Sequence, residues 1–318
     1  MGAVRACAAI LTVALAASPA WSHESSSTAP APQIDAFDPG RSGFLLTVDG
    51  DLVIEYEVFA LFARPDQQIS LSSDAPIRRR GGSSQAFQRQ HDLRAPERPG
   101  HHQLEFETED GETKTLNLLV LHRADADNVQ GYHLGVWPSR LYRDNENYRA
   151  PEYFAEVTED LRDVALSPHF TLGQFLCKQA DDSTPHLIVS ERLIIKLERV
   201  LEAANARGWR ADTFTIMSGF RTPAYNASIG NGEFSRHIYG GAADVFIDAD
   251  ADGRMDDLNG DDRIDRADAA ALYDLVESLS SQADFAPYLG GLGEYGATSW
   301  RPPFVHIDER GWRARWGR

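Results

Sequence analysis

An imidazole and a carboxylate stand seven residues apart in the segment Ser235-Arg236-His237-Ile238-Tyr239-Gly240-Gly241-Ala242-Ala243-Asp244. The glycine pair and the small residues between them fit a turn that leads into a strand, which can bring His237 and Asp244 onto one metal ion. A third ligand is offered by His306, in Phe304-Val305-His306-Ile307-Asp308 on a later strand. Two His and one carboxylate, with a fourth position left to water, make the donor set of a hydrolytic zinc site. The plainer alternative is that His237 and Asp244 only hydrogen-bond within the turn.

A second concentration of carboxylates begins four residues after Asp244: residues 248–268 hold nine Asp and three Arg. Asp248, Asp250, Asp252, Gly253 and Asp256 follow the first nine positions of an EF-hand loop, with Asn259 where a bidentate Glu is expected. Asp257, Asn259, Asp261, Asp265 and Asp268 fit a second, dockerin-like loop in which Asp262 replaces the glycine. Alternating oxygens suit calcium, a hard cation, and the overlap at Asp257 and Asn259 means shared ligands or a single filled site. A merely solvated loop gives no reason for the alternation, nor for apolar Met255 and Ile264 at the eighth positions.

The elements that must carry these residues read as α+β. Ser190 caps a helix with Leu193, Leu197, Val200, Leu201 and Ala204 on one face, and Gly208 marks its end. Residues 213–217, 242–247 and 303–308 read as antiparallel strands and 269–279 as a helix. Upstream, 44–48 and 52–62 flank Asp49-Gly50-Asp51, and 104–108 and 113–121 flank Glu109-Asp110-Gly111-Glu112. Both are hairpin signals, and together they predict a small antiparallel β-sandwich over 34–122. A connector spans 123–166 and the candidate site domain 167–318, with 248–268 as its calcium-loop insert. His101 and His102 would face opposite ways on a strand, so a surface turn is expected there, and Arg78 to Arg80 read as a solvated loop.

The chain has 318 residues and a net charge of −17, with a pI near 4.9. Acidity of this order excludes an electrostatic grip on nucleic acid and favours cationic partners such as metal ions. Arg5, an apolar run over 6–17 and small residues at Ser18, Ala20 and Ser22 predict a cleaved signal peptide, 1–22, followed by a disordered leader, 23–33. No later segment approaches a transmembrane length, so a periplasmic or secreted protein is expected. Cys7 would leave with the signal, and Cys177 reads as a buried small hydrophobe.

The three motifs together resemble peptidase family M15, the zinc D-Ala-D-Ala carboxypeptidases and murein endopeptidases. The likeness runs over about 167–318. It starts at His169-Phe170-Thr171-Leu172, continues through Ser218-Gly219-Phe220-Arg221-Thr222-Pro223 and the Ser235 to Asp244 segment, and ends at His306. It implies His237, Asp244 and His306 as zinc ligands, Arg221 on the substrate carboxylate or the developing oxyanion, and Ser235 on the substrate or orienting the site. The bland role for Arg221 is a salt bridge under the strand. The implied chemistry is metal-assisted peptide hydrolysis, in which a carboxylate moves the proton.

The sequence departs from the family pattern just before His306, where Pro302, Pro303 and Phe304 take the place of an acidic residue or His. Asp308, on the same strand face as His306, is therefore the favoured base and Glu294 the second choice, although either could instead hold His306 in place. The resemblance implies an exported enzyme cutting peptidoglycan stem peptides or cross-links. A non-catalytic, metal-stabilised cell-wall-binding protein and a zinc amidase or peptidase with another substrate are the alternatives.

Overall fold

The computed structural model describes residues 36–82 and 84–318, so the expected signal peptide and leader, with Cys7, lie outside the described residues. The first hairpin forms as the Asp-Gly signal requires. Strands β1 (Arg41–Val48) and β2 (Leu52–Tyr56) pair antiparallel, and the turn takes positive φ at Asp49 (48°) and Gly50 (82°), where Asp and Gly are tolerated. The second run breaks at Glu57. Its continuation, β3 (Val58–Ala63), leaves the hairpin for the far side of the sheet.

Strands β4 (Gln68–Arg79), β5 (Gln88–Arg94), β6 (Gly100–Thr108) and β7 (Thr113–Val120) complete a seven-stranded sheet of order β2-β1-β4-β6-β7-β3, with β5 on β4. The expectation of wholly antiparallel strands fails at one pair, since β3 runs parallel to β7 from Val58 opposite Thr115 to Ala63 opposite Val120. The reason is burial. Phe59, Ala60, Leu61, Leu116, Leu118, Leu119 and Val120 are all buried without alternation, the pattern of strands covered on both faces. Asn117 Nδ2 donates to Ala165 O (2.8 Å), and Phe62 N donates to Glu191 Oε1 (3.1 Å), so later chain segments provide that cover. His101 and His102 lie on β6 rather than in a turn, and Arg78 and Arg79 end β4, with Arg78 Nε on Glu107 Oε1 (2.6 Å).

Lys114 is enclosed in this sheet, where its Nζ donates to Ile54 O (3.0 Å) and Tyr56 O (2.6 Å). Burial pushes its ammonium down to about 7, against the opposing pull of Asp74 and Glu55. The unfolded chain then binds more protons than the folded one between that value and the ordinary 10.5, so stability rises with pH across the interval. Urea midpoints of wild type and Lys114→Met at pH 7 and pH 9 should diverge in favour of wild type at the higher pH; a constant difference would count against it.

Short strands follow. β8 (His122–Arg123), β11 (Tyr153–Glu156) and β14 (His186–Leu187) form one small sheet. β9 (Asn128–Val129) pairs with β10 (Tyr132–His133), and β12 (Ala165–Ser167) with β13 (Phe170–Thr171). Helix α1 (Glu191–Ala206) buries the predicted face of Leu193, Leu197, Val200, Leu201 and Ala204. The site-bearing sheet has the order β15-β16-β18-β17-β19, with β15 (Thr215–Ser218), β16 (Ala242–Phe246), β17 (Gly291–Tyr295), β18 (Phe304–Asp308) and β19 (Ala314–Trp316). Here too one pair, β17 with β19, is parallel. α2 (Pro223–Ser228) follows the β15 loop, and α3 (Arg266–Ser280) packs against β17 and β18. The strand-rich whole is of the α+β class; one large hydrophobic core runs through Phe37–Arg318, with a small separate cluster around Tyr148, Ile238 and Tyr239.

Candidate metal centre

Cross-strand register builds the site. Ser218 on β15 faces Asp244 on β16, Asp244 faces His306 on β18, His306 faces Gly293 on β17, and Gly293 faces Trp316 on β19. Directly opposed residues share a face, so these five make one row across the sheet. The alternate residues Ala243, Val245, Val305 and Ile307 point to the other face and are fully buried. His237 comes to the row from the 3-10 turn Arg236–Tyr239, which ends at Gly240 in the left-handed region (φ 67°). A Cβ on Gly240 would stand 2.3 Å from Ile188 O, and one on Gly241 would strike the buried Arg236–Glu309 ion pair, so both glycines are needed for close approach.

The turn and the row bring His237, Asp244 and His306 together, all three buried. His237 Nε2 lies 3.2 Å from Asp244 Oδ1 and 3.2 Å from His306 Nδ1, and His306 Nδ1 lies 2.8 Å from Asp244 Oδ1. Each ring has its other nitrogen engaged: His237 Nδ1 donates to Gly219 O (2.7 Å) and His306 Nε2 to Asp308 Oδ2 (3.1 Å). Carbonyl and carboxylate oxygens only accept, so those outer nitrogens carry the hydrogens and both inner nitrogens present lone pairs to each other and to Asp244. Three converging lone pairs in a buried pocket fit a cation. Without one, burial pushes His237 down, whereas hydrogen bonds to Asp244 and Asp308 outweigh burial and push His306 up.

Asp308 does not face open space as a base must. It is fully buried, its oxygens accept from His306, from Gly291 N (2.7 Å) and from the Arg310 guanidinium, and Lys196 Nζ donates to its main-chain oxygen (2.7 Å). Burial opposes its ionisation, but His306 and Arg310 hold it well below the usual carboxylate range. It is thus the residue that orients His306, a role the sequence reading kept as the alternative. Glu294 pairs across the strands with Val305, not His306, and binds Arg266 Nε (2.6 Å) and Arg318 Nε (2.7 Å), so it lies on the face away from the row. The glycines before it have a different purpose: a Cβ on Gly291 would meet Asp308 Oδ2 at 2.2 Å and one on Gly293 would meet Trp316 Nε1 at 2.2 Å.

Arg221 turns its guanidinium onto the site's own carboxylate, pairing with Asp244 Oδ2 while its Nε donates to Ser218 Oγ (2.7 Å). Its salt bridge is real, and it also lines the cavity above the row, as does Ser235. That cavity, of about 670 Å³, is bordered by Lys178, Arg221, Arg236, Arg301 and Arg310, and Asp244 is the one acidic residue among its described lining. Sequence reasoning missed Arg310 and Trp316, whose indole lies over His306 with ring centroids 5.1 Å apart. Trp300, 93% exposed, stands at the rim.

The acidic segment folds as two loops of one shape. Asp248 Oδ2 accepts from Gly253 N (3.0 Å) as Asp257 Oδ2 accepts from Asp262 N (2.7 Å), nine residues on. Positive φ recurs at Ala251 and Gly260, and at Gly253 and Asp262, so Asp262 sits in the conformation its glycine counterpart takes freely. Oxygens of Asp248, Asp250 and Asp256 converge. Burial, then the carboxylates of Asp250, Asp248 and Asp252, push Asp256 up against the opposing Ala249 N–H. Asp268 is not part of this set. It is fully buried and accepts from Leu258 N (2.8 Å), Asn259 N (3.4 Å) and Asp265 N (2.8 Å), closing a capping box with Asp265 at the start of α3. Cys177 is partly buried against the core, its Sγ accepting from Thr222 N (3.5 Å).

The likeness to known peptidases holds for part of the chain. Residues 168–258 match the family described as Peptidase M15, a zinc-dependent family; the match includes His237, Asp244 and most of the first acidic loop and ends before His306. No curated protein matches the chain.

Proposed function

We propose, with an M15 peptidase region as the premise, that the protein is an exported zinc metallopeptidase that hydrolyses peptide bonds in peptidoglycan stem peptides or cross-links. The observation that carries this reading is the convergence of His237 Nε2, Asp244 Oδ1 and His306 Nδ1 on one point of a cavity walled by cations. Zinc held there supplies Lewis acidity toward a peptide carbonyl and toward water. The chain's own residues do the rest. Asp308 and Gly219 O fix the two rings by their outer nitrogens, and Arg221 holds Asp244 while offering charge to the cavity. Arg301 and Lys178 favour a substrate bearing carboxylates, as stem peptides do, in a chain whose net charge would otherwise repel it. With Asp308 enclosed and Glu294 on the other face, proton transfer falls to a group other than these two carboxylates.

The test is digestion of purified peptidoglycan with analysis of released muropeptides. Release of shortened stems, or of monomers from cross-linked dimers, that a chelator stops supports the reading. Tight binding of the polymer by zinc-loaded protein with nothing released would instead favour the non-catalytic wall-binding alternative.

Calcium on the acidic loops is part of the same proposal, with Asp248, Asp250, Asp252, Asp256, Asp257, Asn259, Asp261 and Asp265 as ligands. The convergence of Asp248, Asp250 and Asp256 oxygens and two like loops beside β16 support it. Free calcium at 100 times its Kd should stabilise the fold by about 2.7 kcal/mol. Thermal midpoints with zinc saturating and calcium varied should rise in wild type and stay flat in an Asp257→Ala, Asp261→Ala double variant if the second loop is filled. A wild-type midpoint indifferent to calcium would reduce the segment to a solvated loop.

A further inference from the structure

We infer that His122, Glu156 and His186 form a second transition-metal site, of zinc-binding character, that shares no residue with the His237 centre. On the small sheet His122 of β8 faces Phe154 of β11, and Glu156 of β11 faces His186 of β14. Phe154 and Glu156 are two apart on one strand, so all three candidate ligands lie on the same face. One ligand atom from each lies within 4.8 Å of the others, and His122 Nε2 is 3.7 Å from Glu156 Oε2. The two imidazoles meet edge to face, 5.5 Å between centroids at 88°, which leaves room for both to aim nitrogens at a shared point.

The second, independent observation is at His186. The residue is fully buried and its Nδ1 donates to Thr184 O (2.9 Å), so Nε2 is left as a bare lone pair, and that buried atom has no hydrogen-bond partner. Native folds rarely leave such an atom unsatisfied. His122 and Glu156 are partly exposed and supply both an entry path and space for a water as fourth ligand. Two imidazoles and one carboxylate suit zinc or a neighbouring first-row ion, not calcium, which takes six or more oxygens.

The three ligands come from segments far apart in sequence. β8 continues from β7 of the first sheet, and β14 leads through Ser190, whose N–H donates to Gly240 O beside the His237 turn. An ion here would therefore stitch the first sheet to the support of the other metal centre.

The test uses the full chain, stripped of metal, saturated with calcium and titrated with zinc alone. Wild type should hold about two zinc ions, and His122→Ala and Glu156→Gln about one, with affinity for the lost ion reduced by at least ~10-fold. Both residues are partly exposed, so these variants should fold where His186→Ala could fail. His306→Ala should lose the other ion and keep this one. A wild-type zinc content unchanged in both His122→Ala and Glu156→Gln overturns the inference. So does a single ion that only His306→Ala removes. A single ion lost in His122→Ala but kept in His306→Ala would uphold it and sink the zinc-peptidase reading.

Discussion

Replacing His306 with Ala is expected to bring peptide hydrolysis down to the uncatalysed background. The substitution removes one of three converging donors and leaves Asp308, buried and ionised, facing a void where an imidazole N–H had been. Lewis-acid stabilisation is worth several kcal/mol, so the loss should be roughly 10³-fold or more in kcat/KM. The first sheet should remain folded, because the His306 imidazole engages Asp244, His237 and Asp308, all of the site-bearing region. Turnover that survives both the substitution and chelation would remove the metal centre from the mechanism.

The second large effect is expected at Asp308. Asp308→Asn keeps the shape but removes the charge that Arg310 and His306 share inside the protein, and a broken buried pair costs about 3–5 kcal/mol. Because its folded-state pKa is depressed, the wild-type contribution is complete above the unfolded value of 3.8 and is lost as pH falls through the folded one. Wild type and Asp308→Asn should therefore differ in urea midpoint at neutral pH and converge in strong acid. Zinc affinity should also fall by about 10–100-fold, as when a ligand's orienting partner is lost. Excess zinc should then restore most of the turnover. If turnover stays low with the zinc site full, Asp308 moves protons after all, as the sequence alone suggested.

That contrast shows what spacing can and cannot carry. The convergence of His237, Asp244 and His306 was legible because a candidate metal set demands residue types at a few separations, and strand register delivers the rest. The two-residue step from His306 to Asp308 placed both on one face correctly, yet nothing in a sequence tells whether a carboxylate's lone pairs are free or already taken by Gly291 N and Arg310. Asp268 misled in the same way: it falls in the acidic rhythm but spends its oxygens on three backbone N–H groups. The hairpins were readable from local turn chemistry, whereas the parallel β3–β7 pair depends on later chain, with Glu191 capping the free edge of β3 over a hundred residues on. The unbroken apolar runs of β3 and β7 were the available signal.

The way Glu191 at the head of α1 reaches back to Phe62 N, with Asn117 reaching forward to Ala165, has a consequence for cooperativity. With one continuous core behind these contacts, neither half has a surface that water could accept if the other were to melt. Unfolding should follow as a single transition, its calorimetric and van't Hoff enthalpies equal, with the slowest-exchanging amides distributed over both β7 and β18. Ligand binding at the metal centre would then slow exchange in a sheet that never touches the metal, because the binding free energy is credited to the only unfolding step there is.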